Sequence, residues 1–210
     1  MERNTAKRTL EKLLSVCICL CMLGAMLPAQ VFAEEADTAQ TETVQDTAPK
    51  DTVYLSSADD LIQLAKDCRL DSWSQNRTVV LEADIDLSSV DFNGIPSFGG
   101  TWEGQNHAIT GLSLSQDGSV QGLFRYVQQG ALVRDMTVKG RIKPGGTRAS
   151  VGGIAGSNAG TLHNCRFEGV SSGASIVGGI VGTNLASGVI ESCTTTGSVY
   201  GAHFIGGIAG

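Results

Sequence analysis

Four carboxylates fall close together, Glu82, Asp84, Asp86 and Asp91, and the first three alternate along Thr78-Val-Val-Leu-Glu-Ala-Asp-Ile-Asp-Leu87, a run of strand composition. Side chains two apart share one face of a strand, so acids placed this way have the chemistry of glycan cleavage or calcium binding. The same alternation carries a second meaning. Leu81, Ala83, Ile85 and Leu87 occupy the opposite phase, in step with burial, which makes the acids a solvated outer face.

The histidines are His107, His163 and His203, with no His-Glu-x-x-His and no Cys-x-x-Cys, so the sequence offers no metal-ligand spacing. Val151-Gly-Gly-Ile-Ala-Gly156 resembles a phosphate-cradling loop only superficially. A nucleotide fingerprint needs a strand passing into a helix, and here Ser-Asn-Ala-Gly and another strand follow. No Gly-x-Ser-x-Gly elbow is present either. No catalytic, cofactor-binding or metal-ligating set emerges, and no cofactor is expected.

What must position these residues is a repeat. Val151-Gly-Gly-Ile-Ala-Gly156 recurs as Val177-Gly-Gly-Ile-Val-Gly182 and Ile205-Gly-Gly-Ile-Ala-Gly210, at offsets of 26 and 28 residues. A second block, Leu162-His-Asn-Cys165-Arg-Phe-Glu-Gly169, recurs as Ile190-Glu-Ser-Cys193-Thr-Thr-Thr-Gly197. A degenerate earlier copy aligns Gly122-Leu-Phe124 with the first block and puts Met136 in the cysteine position. A period in this range is the signature of a solenoid.

The last complete unit divides into three extended runs, Val189 to Thr196, Gly197 to Gly201 and Phe204 to Gly210, separated by turn residues. Three strands per turn of chain define a parallel β-helix, with Ile, Val, Cys and Phe stacked inward as ladders. The repeat positions expected to set its corners, by sharp turning or positive φ, are Gly152, Gly153, Gly156, Gly178, Gly179, Gly182, Gly206, Gly207 and Gly210, with Cys165 and Cys193 as inward, unpaired fillers. A bridge between the two cysteines is the alternative. Asn158 and Asn184 follow equivalent glycine blocks, which places them to stack as a hydrogen-bonded turn ladder.

The chain divides into four parts. Residues 1–33 place Arg3, Lys7, Arg8 and Lys12 before the apolar run Leu13 to Leu27, and end on Val31-Phe-Ala33, the architecture of a cleaved signal peptide. Pro28, Gln30 and the short apolar core argue against a single-pass anchor. Residues 34–50 are a Thr-rich acidic linker too polar to bury a core. Residues 51–77 form a strand-helix cap, with Ser57 as N-cap and Leu61, Ile62, Leu64, Ala65 and Cys68 on one stripe.

Residues 78–210 are the repeats, in units 120–150, 151–176 and 177–204, with a further unit starting at 205–210. Glycine marks the change of character: Gly24 lies in the leader and the other 26 of 27 glycines lie from Gly94 onward. Of six cysteines, Cys17, Cys19 and Cys21 fall in the leader, which leaves Cys68, Cys165 and Cys193, too few for a disulfide framework. The net charge of −6 becomes −8 without residues 1–33, a balance that excludes nucleic acid and anionic membrane as partners.

The pattern Val-Gly-Gly-Ile-Val-Gly-x-Asn, then Ile-x-x-Cys, then Gly-x-Val resembles the GLUG repeat of bacterial surface proteins. The upstream Phe98-Gly-Gly-Thr-Trp-Glu-Gly104-Gln-Asn-His107-Ala-Ile109-Thr-Gly-Leu112 resembles the segment that precedes such repeats. The resemblance covers residues 78–210 and implies an all-β, right-handed parallel β-helix in an exported bacterial protein. Such repeats also accompany IgA-cleaving peptidases whose zinc site lies in a separate domain. The expectation is therefore a secreted or surface-attached, non-enzymatic stalk or adhesive module for a glycan or a host or cell-surface protein. Because the chain stops at Gly210 inside a unit, the alternative is the N-terminal β-helix of a larger secreted peptidase or polysaccharide-degrading enzyme with its active site outside this chain.

Overall fold

The computed structural model describes residues 50–146 and 149–210, so the signal peptide read at 1–33 and nearly all of the linker read at 34–50 lie outside the described residues. The described chain opens with β1 (Lys50–Leu55), so the strand starts on the last residue assigned to the linker. Helix α1 (Ala58–Asp67) follows. Ser57 caps it: its backbone is extended, and its hydroxyl accepts from the Asp60 N–H at 3.2 Å. Asp60 in turn accepts from the Ser56 N–H at 3.0 Å, a reciprocal capping box that holds its carboxyl below the usual range.

Everything after α1 is strand and corner. β2 (Arg77–Leu81) and β3 (Ile85–Asp86) start the winding, followed by β4 (Ile95–Phe98), β5 (Thr101–Glu103) and β6 (Ala108–Leu114). The next coil is β7 (Val120–Gln121), β8 (Phe124–Val127) and β9 (Leu132–Ile142); the one after is β10 (Ser150–Val151), β11 (Ala155–Asn158) and β12 (Thr161–Ser172). β13 (Ile176–Gly178), β14 (Val181–Asn184), β15 (Val189–Glu191), β16 (Thr194–Tyr200) and β17 (Ile205–Gly206) complete the described chain. All named pairings are parallel, and they stack the coils into a β-solenoid of about five turns.

Three sheets run along it: one of nine strands containing β9 and β12, one in the order β17-β13-β10-β7, and one in the order β14-β11-β8-β4. Register follows the repeats, with Phe124 beside Ala155 beside Val181, and Met136 beside Cys165. β1 pairs with β2 in the nine-stranded sheet, so the N-terminal strand belongs to the stack.

Two features differ from the expectation. The acidic run 78–87 breaks after Leu81 into two strands, because the chain turns a corner through Glu82 to Asp84. Two full coils have the three expected strands, β7-β8-β9 and β10-β11-β12, but the long third strand bends part-way, and in the last coil it divides into β15 and β16. The nine-stranded sheet bends at Asn164, whose φ of 50° is left-handed, and the aligned Asp135 (56°) and Ser192 (52°) bend likewise. These short polar residues tolerate that backbone, and the Asn164 amide donates to Asp135 Oδ1 at 2.7 Å. The glycine block forms another corner, between the short strands such as β10 and the strands such as β11.

Inward residues make one continuous core. Leu162, Cys165 and Phe167 lie under Val133, Met136 and Val138, alongside Val151, Ile154 and Ala155, all buried. Near the start, Phe98, Trp102 and Phe124 pack with ring centroids 5.2–6.0 Å apart, two of the three contacts edge-on. Leu61, Leu64 and Cys68 of the helical segment join the same core. The outer surface carries ion pairs between coils, with Arg134 bidentate on Glu103 at 2.7 and 2.8 Å.

Connection lengths vary unevenly. Two or three residues join the short strands to their successors at the glycine corner, as between Val151 and Ala155 or Gly178 and Val181. At the corner entering the short strands the separation ranges from three residues, between Ser172 and Ile176, to seven, between Ile142 and Ser150.

Candidate functional site

The repeat glycines sit where backbone meets backbone. None of the nine has a positive φ, so the expected role in left-handed turning does not hold; the need is for space. A Cβ on Gly153 would stand 2.5 Å from the Gly179 carbonyl oxygen and against the Phe167 ring. Gly156 and Gly182 are equally closed, with Gln121 N at 2.7 Å from a Cβ on the first and Gly156 O at 2.6 Å from one on the second. A Cβ on Gly210 would stand 2.6 Å from Val177 N. Gly152, Gly178, Gly179 and Gly206 crowd on backbone oxygens, whereas Gly207 faces open space.

The sequence candidates for chemistry are dispersed. Glu82, Asp84 and Asp86 are exposed, and Asp91 lies apart in a loop. Asp84 accepts from the Ala108 N–H at 2.8 Å and contacts His107 Nδ1 at 3.0 Å, which lowers its pKa and pins one coil to the next. Asp86 caps its own corner through the Ser88 N–H and hydroxyl, both at 2.9 Å, and its pKa is lowered too. Among the described residues, no three His, Cys, Asp or Glu side chains converge as a metal site. His163 sits half-buried beside the fully buried Leu162.

Cys165 and Cys193 occupy neighbouring coils as free thiols. The Cys165 S–H is held by Cys193 and by burial, which raises its pKa, while its hydrogen bond lowers that of Cys193 to about 7. Asn158 and Asn184 form the expected ladder: the buried Asn158 amide donates to Asn184 Oδ1 at 2.8 Å, and its Oδ1 accepts from the Gly160 N–H at 3.2 Å.

The sequence reading missed a concave site beside the helix; a smaller hollow of about 130 Å³, lined by Val53, Leu55, Leu64 and Trp73 among others, lies between β1 and α1. A cleft of about 250 Å³ lies between α1 and the segment 91–96, lined by Ile62, Ala65, Lys66, Arg69, Phe92 and Arg125 among others. The first four stand at i, i+3, i+4 and i+7 in and just beyond α1, which is the geometric reason that they share one wall. Ser57 fixes where that helix starts, and Leu61 and Leu64 seat the adjoining side in the core, against which Ile62 and Ala65 also pack.

The other wall is built by a tight loop. Gly94 has φ +80°, and a Cβ there would stand 2.7 Å from Gly122 O, so glycine is needed on both counts. Ile95 then donates to Leu123 O at 2.7 Å and starts β4. Pro96 is tolerated because β4 is the last strand of its sheet. Arg125 on β8 neighbours Pro96, and its Nε donates to Asn93 O at 3.2 Å. The cleft therefore has an apolar body, with Lys66, Arg69 and Arg125 facing a single acid, Asp91, at its rim.

These features can be set beside known proteins. No family model matches the chain, so the GLUG resemblance stays at the level of motif. Halomucin from Haloquadratum walsbyi is 29% identical over 57% of this chain, which spans 2% of that protein. Among solved structures, an immunoglobulin A1 protease-like protein from Bacteroides ovatus superposes with a TM-score of 0.52 at 19% identity, covering 78% of this chain and 61% of that one. At that identity the likeness concerns the fold, a β-solenoid.

Proposed function

We propose that this chain is an exported, non-enzymatic β-solenoid module, a stalk or adhesive surface that binds a glycan on a partner cell or host protein. The observation that carries the reading is the cleft beside α1, a concave patch with an apolar wall and polar and charged residues around it. Support for export comes from the architecture of residues 1–33, with basic residues before an apolar run and small residues at cleavage spacing. The small share of halomucin that the chain spans supports a module that works inside a longer surface protein.

Glycan-array binding by the purified full chain tests the module. Binding without turnover of any bound glycan is the expected result, and hydrolysis by the chain alone would overturn the non-enzymatic reading. Export is tested by sequencing the N-terminus of the secreted form, expected near Glu34. Retention of residues 1–33 on a cytoplasmic product would end that part of the proposal.

A second reading has its own support in the likeness to the protease-like solved structure. Here the solenoid would be the supporting part of a larger secreted peptidase or polysaccharide-degrading enzyme, with chemistry supplied by other domains. Reading the gene beyond residue 210 separates the two. A zinc-binding helix motif downstream favours the enzyme, and further repeats leading to a wall-attachment segment favour the adhesin.

A further inference from the structure

We infer that the cleft beside α1 is selective for a carboxylate-bearing sugar, a hexuronate unit within an acidic glycan. This rests on the glycan-binding reading above and narrows its ligand class. The first observation is one of charge. The chain carries a net charge of −6, yet Lys66, Arg69 and Arg125 gather on one cleft against Asp91 alone. None of these three cations has a carboxylate within 4.0 Å among the described residues; Arg134, Lys139 and Arg166 do, while Arg77, Arg141 and Lys143 stand without one outside the cleft, so what marks the cleft is that three such cations gather there. Like charges that gather without partners raise the local potential and favour an anionic guest.

The second observation is geometric. Arg125 is half-buried, and Nε is anchored on the Asn93 carbonyl at 3.2 Å, which leaves the N–H groups of its two Nη atoms for a ligand. A guanidinium held in this way is suited to a planar carboxylate. Lys66 and Arg69 extend from the last turn of α1 and the residues after it, able to close on the same group from the opposite wall.

Third, the remaining lining suits a sugar better than a bare anion. Ile62, Ala65, Phe92 and Pro96 offer an apolar surface for the C–H face of a ring. Asp91 and Asn93 bring acceptors for ring hydroxyls. A phosphate would gain nothing from the apolar wall. At about 250 Å³ the cleft falls below the usual range of drug-sized sites, which begins at about 300 Å³, so one ring is seated and the rest of the glycan leaves through the open mouth.

The test is calorimetric titration of the full chain with a glucuronate-containing disaccharide. Parallel arms use the same disaccharide with its carboxylate reduced to the alcohol, sodium acetate, and inorganic phosphate. The acidic disaccharide is expected to bind at least about tenfold more tightly than the reduced one, the scale of one charge-assisted hydrogen-bond pair. Arg125→Gln is expected to weaken it by about tenfold and Lys66→Gln by a smaller factor, while Arg141→Gln, a cation on β9 outside the cleft, leaves it unchanged. Circular dichroism of each variant shows whether the fold is intact, and Lys66, being exposed, can be changed without cost to it.

If the reduced disaccharide binds as tightly as the acidic one, the glycan reading stands and selectivity for a hexuronate falls. Binding of phosphate or acetate as tight as that of the acidic disaccharide overturns the sugar and leaves only an anion site. Failure of every saccharide overturns both this inference and the reading on which it rests.

Discussion

Replacing Gly153 by alanine adds one methyl group at a point of the repeat closed by both a side chain and backbone. The new Cβ would sit 2.5 Å from the Gly179 carbonyl oxygen and closer still to the ring of Phe167, a fully buried side chain. An ordinary contact needs roughly 1 Å more, which the ring and the neighbouring coil must supply together. Overpacking of this kind costs about 1–3 kcal/mol. The φ of Gly153 is not positive, so alanine also stiffens the unfolded chain and returns about 0.5 kcal/mol. The net expected loss is about 0.5–2.5 kcal/mol, or roughly 1–10 °C in Tm for a folded part of this size.

Gly207→Ala is the internal control. It is the repeat equivalent of Gly153 two coils on, and a Cβ there meets nothing within 4 Å, so its expected effect stays within about ±0.5 kcal/mol. Its neighbour Gly206, closed off by the backbone of Ala209, should lose stability when changed to alanine. That contrast within one coil guards against the coil being insensitive to any change. Urea unfolding followed by circular dichroism measures all three. Equal midpoints for Gly153→Ala and Gly207→Ala would show that the glycines recur in the repeat for some reason other than space.

Three further outcomes are expected. Asn158→Ala should cost about 2–3 kcal/mol in urea unfolding, since it removes the bond to Asn184 and leaves the Gly160 N–H unsatisfied, while Asn184→Ala at the exposed end of the ladder should cost about 1 kcal/mol. Alkylation of Cys193 by iodoacetamide should rise through pH 7, where its thiolate forms at about 7 instead of the ordinary value near 8.5, and Cys165 should stay unmodified in the folded chain; a midpoint above 8 would refute the donation from Cys165. Ser57→Ala should lower stability by about 1 kcal/mol in thermal unfolding by removing the cap of α1, and it should weaken ligand binding in the cleft, because the Lys66 wall starts from that cap.

The solenoid itself could be read from the chain because its information is local and repeated. Copies of Val-Gly-Gly-Ile fix the register, and the pairings of Phe124, Ala155 and Val181 follow the sequence alignment. The bend at Asp135, Asn164 and Ser192 was not recovered, since three different residue types carry one backbone conformation and no repeated letter marks it. For glycine only the corner could be read, for the converse reason: one letter serves a left-handed φ or a close approach, and only the neighbouring coil distinguishes them. The cleft was missed because Arg125 lies far along the chain from Lys66 and Arg69, and Pro96 between them looks like a turn residue. A hint was present in the stripe Ile62, Ala65, Lys66 and Arg69, whose basic end breaks an otherwise apolar wall.

The uneven connections carry an evolutionary and practical consequence. The corner leading into the nine-stranded sheet takes four residues after Val127, two after Asn158 and four after Asn184, and the glycine corner takes two or three, so each absorbs only a small change of length. At the corner entering the short strands, where three residues serve in one coil and seven precede the same step in another, a length change is absorbed before the next strand begins. Duplication and slippage of the gene can therefore leave their widest scars along that edge while the stack keeps its order. A foreign peptide spliced between Ser172 and Ile176 would be displayed from that edge, beside natural neighbours of varied length, on a rigid column that already tolerates them.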